Sequence, residues 1–381
     1  MKMNNHSMGK VHLLRAGFCL AAAALLFSGI GCKSVQPLPP TASVKCIKKA
    51  ENPLLPVPGG DPDANVFEGE VYAYCKRDRR CRPDFNDQSW TAFSSPDLVH
   101  WTDHEDIMHM GDVPWGVANA FAPCASYRNG TYYLYAPCCD ENDQWGIAVG
   151  ASPNPEGPFE YKAKIDIKQY DPDVFIDDDS QAYIYFPHLL TRLKDNMLEI
   201  EGEIIPKEDY LVGGPLDPEK YNVWENPHVF KKDGKYYYLL SVIDLDEEGN
   251  FTFGQKIHYW MGDSPTGPFY YKDMIHDQPR GNCGASIVEF KGDWYFFYHR
   301  PLWSEDVKCA ERKSCMDPVE FNKDGTIKPV IATLPGMELI NEKTFSADSG
   351  NWTTEGWRVA LRHIHDGDVL TPARARGDEA W

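Results

Sequence analysis

Three acidic residues open segments of similar form, and each stands where a strand would begin. Asp61 and Asp171 start "DPDANVFEGEVYAYC" and "DPDVFIDDDSQAYIYFP", and Glu225 starts "ENPHVFKKDGKYYYLLS". Carboxyl groups that converge in one pocket repel one another, so the pKa of at least one should rise. Glycoside hydrolysis uses such a set, because a protonated acid serves the leaving oxygen while an ionised one activates water. The fold must therefore bring these three segments together.

A repeated pattern of strand, polar turn and aromatic strand supplies the elements that could do so. Two further segments, "FAPCASYRNGTYYLYAP" and "CGASIVEFKGDWYFFYHR", share it. Aligned tyrosines follow one another at intervals of 61, 50, 54 and 58 residues, at Tyr72, Tyr133, Tyr183, Tyr237 and Tyr295. A period of this length, with hairpin turns and few helix signals, predicts an all-β, five-bladed β-propeller with its active site at the mouth of the central channel. A β-sandwich is the alternative, but it does not explain the common phase of the turns.

The innermost strand of a propeller blade lines the channel and begins at one mouth of it. Counting back eleven or twelve residues from each aligned tyrosine gives Asp61, Phe121, Asp171, Glu225 and Cys283. Three blades would then present a carboxylate to the same mouth. The alternative, that each acid only caps the start of a strand, suits one Asp-Pro turn better than three matched positions.

The other aspartates of the third segment are predicted to have different roles. Asp177, Asp178 and Asp179 lack the alternating ligands and the glycine of a calcium loop, so they predict a solvated turn. Asp173, two residues after Asp171, is predicted to be structural.

These segments resemble glycoside hydrolase family 43, as do "SSPDLVHWTDHEDIM", "DSPTGPFYYKD" and "ASIVEFKGDWYFFYHR". The resemblance covers about residues 52–333 and implies a five-bladed propeller that cleaves arabinose- and xylose-containing glycans with inversion. It implies that Asp61 is the general base, Asp171 the pKa modulator and Glu225 the general acid.

The resemblance also suggests substrate contacts and one departure from the family pattern. Tyr170 and Phe121 match positions where relatives place aromatic rings against the sugar, and Arg312 resembles an arginine that reaches the pocket. Gly284 stands where many relatives have a histidine that touches sugar or helps to hold calcium. We therefore predict no metal and no cofactor.

The expected activity is removal of terminal α-L-arabinofuranosyl or β-xylosyl residues from plant polysaccharides. A non-catalytic glycan-binding propeller is one alternative. A related propeller fructosidase is another, although it would need a "WMNDPNG"-like opening. An aromatic content of 13% suits sugar stacking, and a net charge of −19 argues against nucleic acid as a partner.

The N-terminus predicts export. A basic start and a fifteen-residue apolar run precede "SGIGCKS", a secretory signal that resembles a bacterial lipobox with Cys32 as the lipidated residue. The membrane is then a partner only through a lipid anchor, in the outer membrane or periplasm. The predicted segments are a signal peptide (1–31), a tether (32–50), the propeller (51–335) and a short C-terminal extension, either a truncated module or a tail (336–381).

Overall fold

The computed structural model describes residues 52–55, 57–78, 88–252, 254–278, 282–302, 311–330 and 332–333, together with three short strands between residues 337 and 370. Within these ranges the helical segments are one α-helical turn, α1 (Lys207–Tyr210), and a 3-10 turn (Met110–Asp112). None of the described helices is long and apolar enough to span a membrane. The predicted signal peptide, Cys32 and most of the tether lie outside the described residues.

Five antiparallel sheets form the five-bladed propeller that the repeat predicted. Blade 1 comprises β1 (Gly60–Phe67), β2 (Glu70–Lys76), β3 (Ser89–Ser95) and β4 (Thr102–His109). Blade 2 comprises β5 (Cys124–Arg128), β6 (Thr131–Cys139), β7 (Trp145–Ser152) and β8 (Glu160–Ile165). Blade 3 comprises β9 (Asp173–Ile176), β10 (Ala182–Tyr185), β11 (Leu189–Leu193) and β12 (Ile200–Pro206).

The last two blades differ in strand number. Blade 4 comprises β13 (Leu211–Val212), β14 (Tyr221–Lys232), β15 (Lys235–Asp244), β16 (Gln255–Gly262) and β17 (Phe269–Gln278), with β13 parallel to β17. Blade 5 comprises β18 (Ala285–Phe290), β19 (Asp293–Leu302) and β20 (Glu311–Val319). A separate sheet in the predicted C-terminal extension comprises β21 (Met337–Leu339), β22 (Leu361–His363) and β23 (Val369–Leu370).

Packing between blades explains the aromatic second strands. Each of the five aligned tyrosines lies on the second strand from the channel, which pairs with the innermost strand of its blade (β2, β6, β10, β15 and β19), and both faces of these strands are largely buried between neighbouring sheets. Fully buried tyrosine hydroxyls donate to backbone oxygens in a turn of the next blade: Tyr74 to Pro155 (2.6 Å), Tyr135 to Met197 (2.9 Å) and Tyr185 to Pro265 (2.7 Å). The rings thus fill the core while their hydroxyls keep a hydrogen-bond partner.

A second set of hydrogen bonds joins the innermost strands around the channel. The donor–acceptor pairs are Ala125 N to Asp63 Oδ2 (2.8 Å), Val229 N to Asp173 Oδ2 (2.7 Å), His228 Nε2 to Ile287 O (2.9 Å) and Ala64 N to Ser286 Oγ (2.9 Å). Each pair links two neighbouring blades. Asp173 therefore has the structural position that the sequence predicted.

The segment before β1 closes the ring by lying along the free edge of β20. Leu54 N donates to Ser314 O (2.9 Å) and Gly59 N to Arg312 O (3.0 Å). Asn52 is buried and donates through Nδ2 to Met316 O, to Asp317 Oδ2 and to Thr333 Oγ1. The chain that leads into blade 1 thus supplies the outer edge of blade 5.

Candidate active site

Strand pairing defines the equivalent mouth position in each blade. Each aligned tyrosine pairs with one residue of the innermost strand, and the equivalent mouth position lies four residues before that partner. It is Asp61 in β1, Asp171 just before β9, and Asn226 in β14. All three have left-handed backbone angles, with φ of 53°, 47° and 47°, and all precede proline. Such angles are costly for residues other than glycine and tend to occur at functional sites.

This register corrects the sequence-based alignment in three blades. Glu225, Phe121 and Cys283 each precede the equivalent position by one residue. The cause lies in the turns, because the β9–β10 connection is one residue longer than the first hairpins of the other blades, so the equivalent position lies twelve residues before the tyrosine in blade 3 and eleven before it elsewhere. The three acids nevertheless meet, since the charges of Asp61 and Glu225 both raise the pKa of Asp171.

Asp61, the predicted base, is held by an ion pair. Its side chain is buried, and Oδ2 accepts a hydrogen bond from Nη1 of Arg312 at 2.7 Å. Burial alone would raise the pKa of Asp61, but Arg312, His299 and Lys76 together outweigh it and hold the pKa well below its usual range. This shift favours the ionised form that a general base needs.

A second carboxylate orients the arginine. Asp78 binds Arg312 in a bidentate pair, with Nε to Oδ2 at 2.7 Å and Nη2 to Oδ1 at 2.6 Å. Paired bonds of this kind fix the plane of a guanidinium. Arg312, predicted to reach the pocket, thus contacts Asp61 in a fixed orientation.

The other oxygen of Asp61 lies in a restricted space. His299 is fully buried and accepts a hydrogen bond from Asp61 N at Nδ1 (2.9 Å), so its proton lies on Nε2, 2.8 Å from Asn282 O. Oδ1 of Asp61 lies 3.2 Å from that same Nδ1, which is already an acceptor, and it has no hydrogen-bond donor among the described residues. A Cβ atom on Gly284 would lie 2.6 Å from that oxygen and 2.8 Å from Oδ1 of Asn226. Position 284 therefore admits no side chain unless the base or Asn226 moves.

Glu225, the predicted acid, is positioned by a buried amide. Nε2 of Gln255 donates to Oε2 of Glu225 at 3.0 Å, while Oε1 of Gln255 accepts from Cys283 N. Burial raises the pKa of Glu225 and the charge of Asp61 raises it further, although the Gln255 bond opposes both. Asp171 responds in the same direction, through burial first and then the charge of Glu225. Both carboxyl groups are therefore easier to protonate than free ones.

Five rings form a continuous aromatic arc around this side of the mouth. Successive ring centroids are 4.8, 5.4, 6.4 and 5.9 Å apart along Phe121, Trp145, Tyr170, His188 and Trp224. The Tyr170 hydroxyl donates to Trp224 O at 3.3 Å, which links the residues that precede Asp171 and Glu225. Trp224 is buried, whereas the other four rings are partly exposed and offer flat surfaces to a ligand. Phe121 and Tyr170, both predicted from sequence, belong to the arc.

Known proteins are similar to this chain in sequence and in fold. A profile described as "Glycosyl hydrolases family 43" matches residues 50–327. A β-D-galactofuranosidase of Aspergillus niger is 31% identical, with 76% of this chain and 87% of the relative covered. Xylosidase/arabinosidase 43A of Humicola insolens is 30% identical, with 70% and 95% covered.

The chain belongs to glycosyl hydrolase family 43.

A solved member of family 43 agrees with this assignment. A β-xylosidase/α-arabinofuranosidase from a compost microbial metagenome, solved in complex with xylotriose in a calcium-free form, is 29% identical with a TM-score of 0.63. It covers 74% of this chain, and 97% of its own chain is covered. The protein is accordingly a glycoside hydrolase, as the resemblance implied.

One buried group below the family 43 acids could hold a cation. Ligand atoms of Asp63, Asp173 and His228 lie within 4.8 Å of one another and form what we call the channel cluster. Nε2 of His228 donates to Ile287 O, and Nδ1 faces the carboxylates, 3.4 Å from Oδ1 of Asp173. Burial and then the charge of Asp173 raise the pKa of Asp63 to about 7. Two carboxylates and an imidazole nitrogen fit a divalent cation, whose charge would offset theirs.

Several residues of this family 43 site were not found from the sequence. Asp78, His299 and Gln255 act on the acids from far along the chain, and Trp145 and Trp224 complete the arc. Lys76, also missed, is 2% exposed with Nζ 4.4 Å from the centroid of Phe121. Some of them could have been found from their positions in the sequence. Trp224 directly precedes Glu225, and Lys76 and Asp78 lie at and just after the end of the aromatic strand β2.

Proposed function

We propose that this glycoside hydrolase removes terminal α-L-arabinofuranosyl or β-xylosyl residues from plant pentose-containing polysaccharides with inversion. The observation that carries the proposal is the opposed pKa shift of two buried carboxyl groups at one mouth. The pKa of Asp61 lies below its usual range and that of Glu225 above it. Such a separation assigns the base and the acid of a glycosidase.

The roles follow from the geometry of each group. Asp61 uses Oδ2 to bind Arg312, and its other oxygen, Oδ1, is assigned to accept a proton from the attacking water. Attack of that water on the anomeric carbon breaks the bond to the leaving oxygen, which takes the proton of Glu225. Asp171, whose own pKa is raised by the charge of Glu225, is the neighbouring carboxyl group assigned to tune the proton affinity of Glu225.

The proposed glycone rests on relatives of differing substrate. One relative is named a β-D-galactofuranosidase and another a xylosidase/arabinosidase, so the glycone is a five-membered or pentose ring. The aromatic arc supports a carbohydrate substrate, because sugar faces stack on such rings. Export and lipidation at Cys32 complete the proposal, and they rest on the signal-like N-terminus.

A panel of nitrophenyl glycosides tests the glycone, with α-L-arabinofuranoside, β-D-xyloside and β-D-galactofuranoside compared by kcat/KM. Proton NMR of the first-formed sugar tests stereochemistry, and the expected product has the inverted anomeric configuration. Retention would contradict the mechanism, because it requires a nucleophile in place of an activated water. Tight binding of these glycans without any turnover would favour the non-catalytic alternative instead.

A further inference from the structure

A buried lysine beside the aromatic arc has no anionic partner. Lys207 is 5% exposed, and its Nζ lies 3.2 Å from the centroid of Trp224 and 3.5 Å from Nδ1 of His188. We call these three residues the lysine corner. In the described part of the chain no carboxylate forms a salt bridge with Lys207. Burial lowers the pKa of Lys207 to about 8, which reflects the cost of an uncompensated charge.

Topology puts the lysine corner on the same face as the acids. Because β9 begins at the mouth and successive strands are antiparallel, the β10–β11 turn that carries His188 and the end of β12 both return to that face. Lys207 follows β12 directly, and Trp224 lies in β14 just before Glu225. The lysine corner and the acids therefore lie on the same face of the propeller.

The lysine corner offers hydrogen-bond donors and few acceptors. An ammonium group donates up to three hydrogen bonds and accepts none. Since Nδ1 of His188 faces the amine, it acts as the acceptor, and the ring proton lies on Nε2. That nitrogen makes no hydrogen bond within the described ranges. Two kinds of donor beside an aromatic face suit an oxyanion attached to a sugar ring.

The position of the lysine corner also specifies which side of the substrate would carry the anion. Trp224 is adjacent to Glu225, and the Tyr170 hydroxyl bonds to its carbonyl. A general acid contacts the leaving-group oxygen, so the rings next to it face the leaving group rather than the terminal sugar.

We propose that the lysine corner binds a singly charged oxyanion on the leaving-group side of the substrate, either the carboxylate of a uronic acid or a sulfate ester. The enzyme would then prefer a terminal pentose attached to an acidic sugar. The proposal rests on the proposed function, because the acid role of Glu225 defines the leaving-group side. Charged hydrogen bonds favour the anionic glycan over a neutral one by about tenfold or more in affinity.

Calorimetric binding to the Glu225→Gln enzyme tests this without turnover. Three oligosaccharides would differ only in the sugar next to the terminal pentose: a uronic acid, the same sugar after carboxyl reduction, and the reduced sugar with a sulfate ester. We expect about tenfold tighter binding of at least one charged ligand than of the reduced one, and the stronger of the two identifies the source. Equal affinities for all three would overturn the proposal.

Second-site variants in the same background assign the effect to the lysine. Lys207→Met retains an apolar stem against Trp224 and should remove the preference, whereas Lys207→Arg should retain part of it. Lys162→Met, an exposed lysine on β8, is the matched control and should retain all of it. If Lys207→Met does not fold, His188→Phe should reduce the preference several-fold. A preference that survives these changes contradicts the proposal.

The hydrolysis assays separate this result from the proposed function. Normal hydrolysis of neutral pentosides with equal binding affinities overturns the lysine corner alone. Lack of hydrolysis overturns the activity, and the binding preference then stands or falls independently.

Discussion

Gly284 offers the sharpest test of how closely the predicted base, Asp61, must be positioned. Its replacement by alanine places a Cβ 2.6 Å from Oδ1 of Asp61 and 2.8 Å from Oδ1 of Asn226, whereas ordinary contacts begin above 3.0 Å. The carboxylate must move by roughly 0.5 Å or more, and overpacking of this kind costs about 1–3 kcal/mol. Because misplacement by about 1 Å can lower a rate 100-fold, we expect kcat for Gly284→Ala to fall roughly 10- to 100-fold.

The assay pairs turnover of a nitrophenyl pentoside with thermal unfolding. Gly150→Ala is the control, since its Cβ would be similarly crowded, 2.9 Å from Cβ of Phe159, in the packed interior of blade 2. Both variants should lose some stability, but only Gly284→Ala should lose turnover in the folded enzyme. Wild-type kcat in Gly284→Ala, or an equal loss of kcat in both variants, would refute the idea that Gly284 keeps the base in its catalytic position.

Further predictions concern the arginine, the ring closure and the channel cluster. Arg312→Met leaves Asp61 buried without its ion pair, so its pKa should rise and the acidic limb of the kcat/KM profile between pH 3 and 8 should move to higher pH; an unmoved limb would contradict the pairing. Asp78→Asn should shift that limb in the same direction by less. Asn52→Ala removes several buried hydrogen bonds that close the propeller, so the free energy of unfolding measured with denaturant should fall by on the order of 2–4 kcal/mol. An unchanged free energy would show that this closure does not stabilise the fold. Chelator treatment should leave activity and Tm unchanged, whereas a rise in Tm with added Ca²⁺ would show that the channel cluster binds it.

The fold was predictable because its information is local. Each hairpin carries its own turn residues and aromatic strand, so the repeat appears in the sequence before any long-range contact is known. The equivalent position in each blade was harder to place, because the β9–β10 turn is one residue longer than the first turns of the other blades. A count of eleven or twelve residues from the aligned tyrosine could not separate Glu225 from Asn226.

Most of the site contacts that could not be predicted join residues far apart in the sequence. Asp78 and Arg312 are 234 residues apart, and their pairing depends on how blade 5 meets blade 1. The turn at Asp177 shows the same limit. It was predicted to be solvated, yet Asp177 accepts hydrogen bonds from Lys231 Nζ (2.8 Å) and the Tyr236 hydroxyl (2.6 Å) of the next blade.

The central claim is that Glu225 protonates the leaving group, and Glu225→Gln measured against leaving-group acidity tests it most directly. General acid catalysis contributes roughly 100- to 10,000-fold, so turnover of a natural oligosaccharide should fall by about that factor. Turnover of a dinitrophenyl glycoside, whose leaving group needs little protonation, should fall far less. The exposed Glu208→Gln variant, a control in α1, should behave like wild type on both substrates. Unchanged hydrolysis of the oligosaccharide by Glu225→Gln would contradict the account.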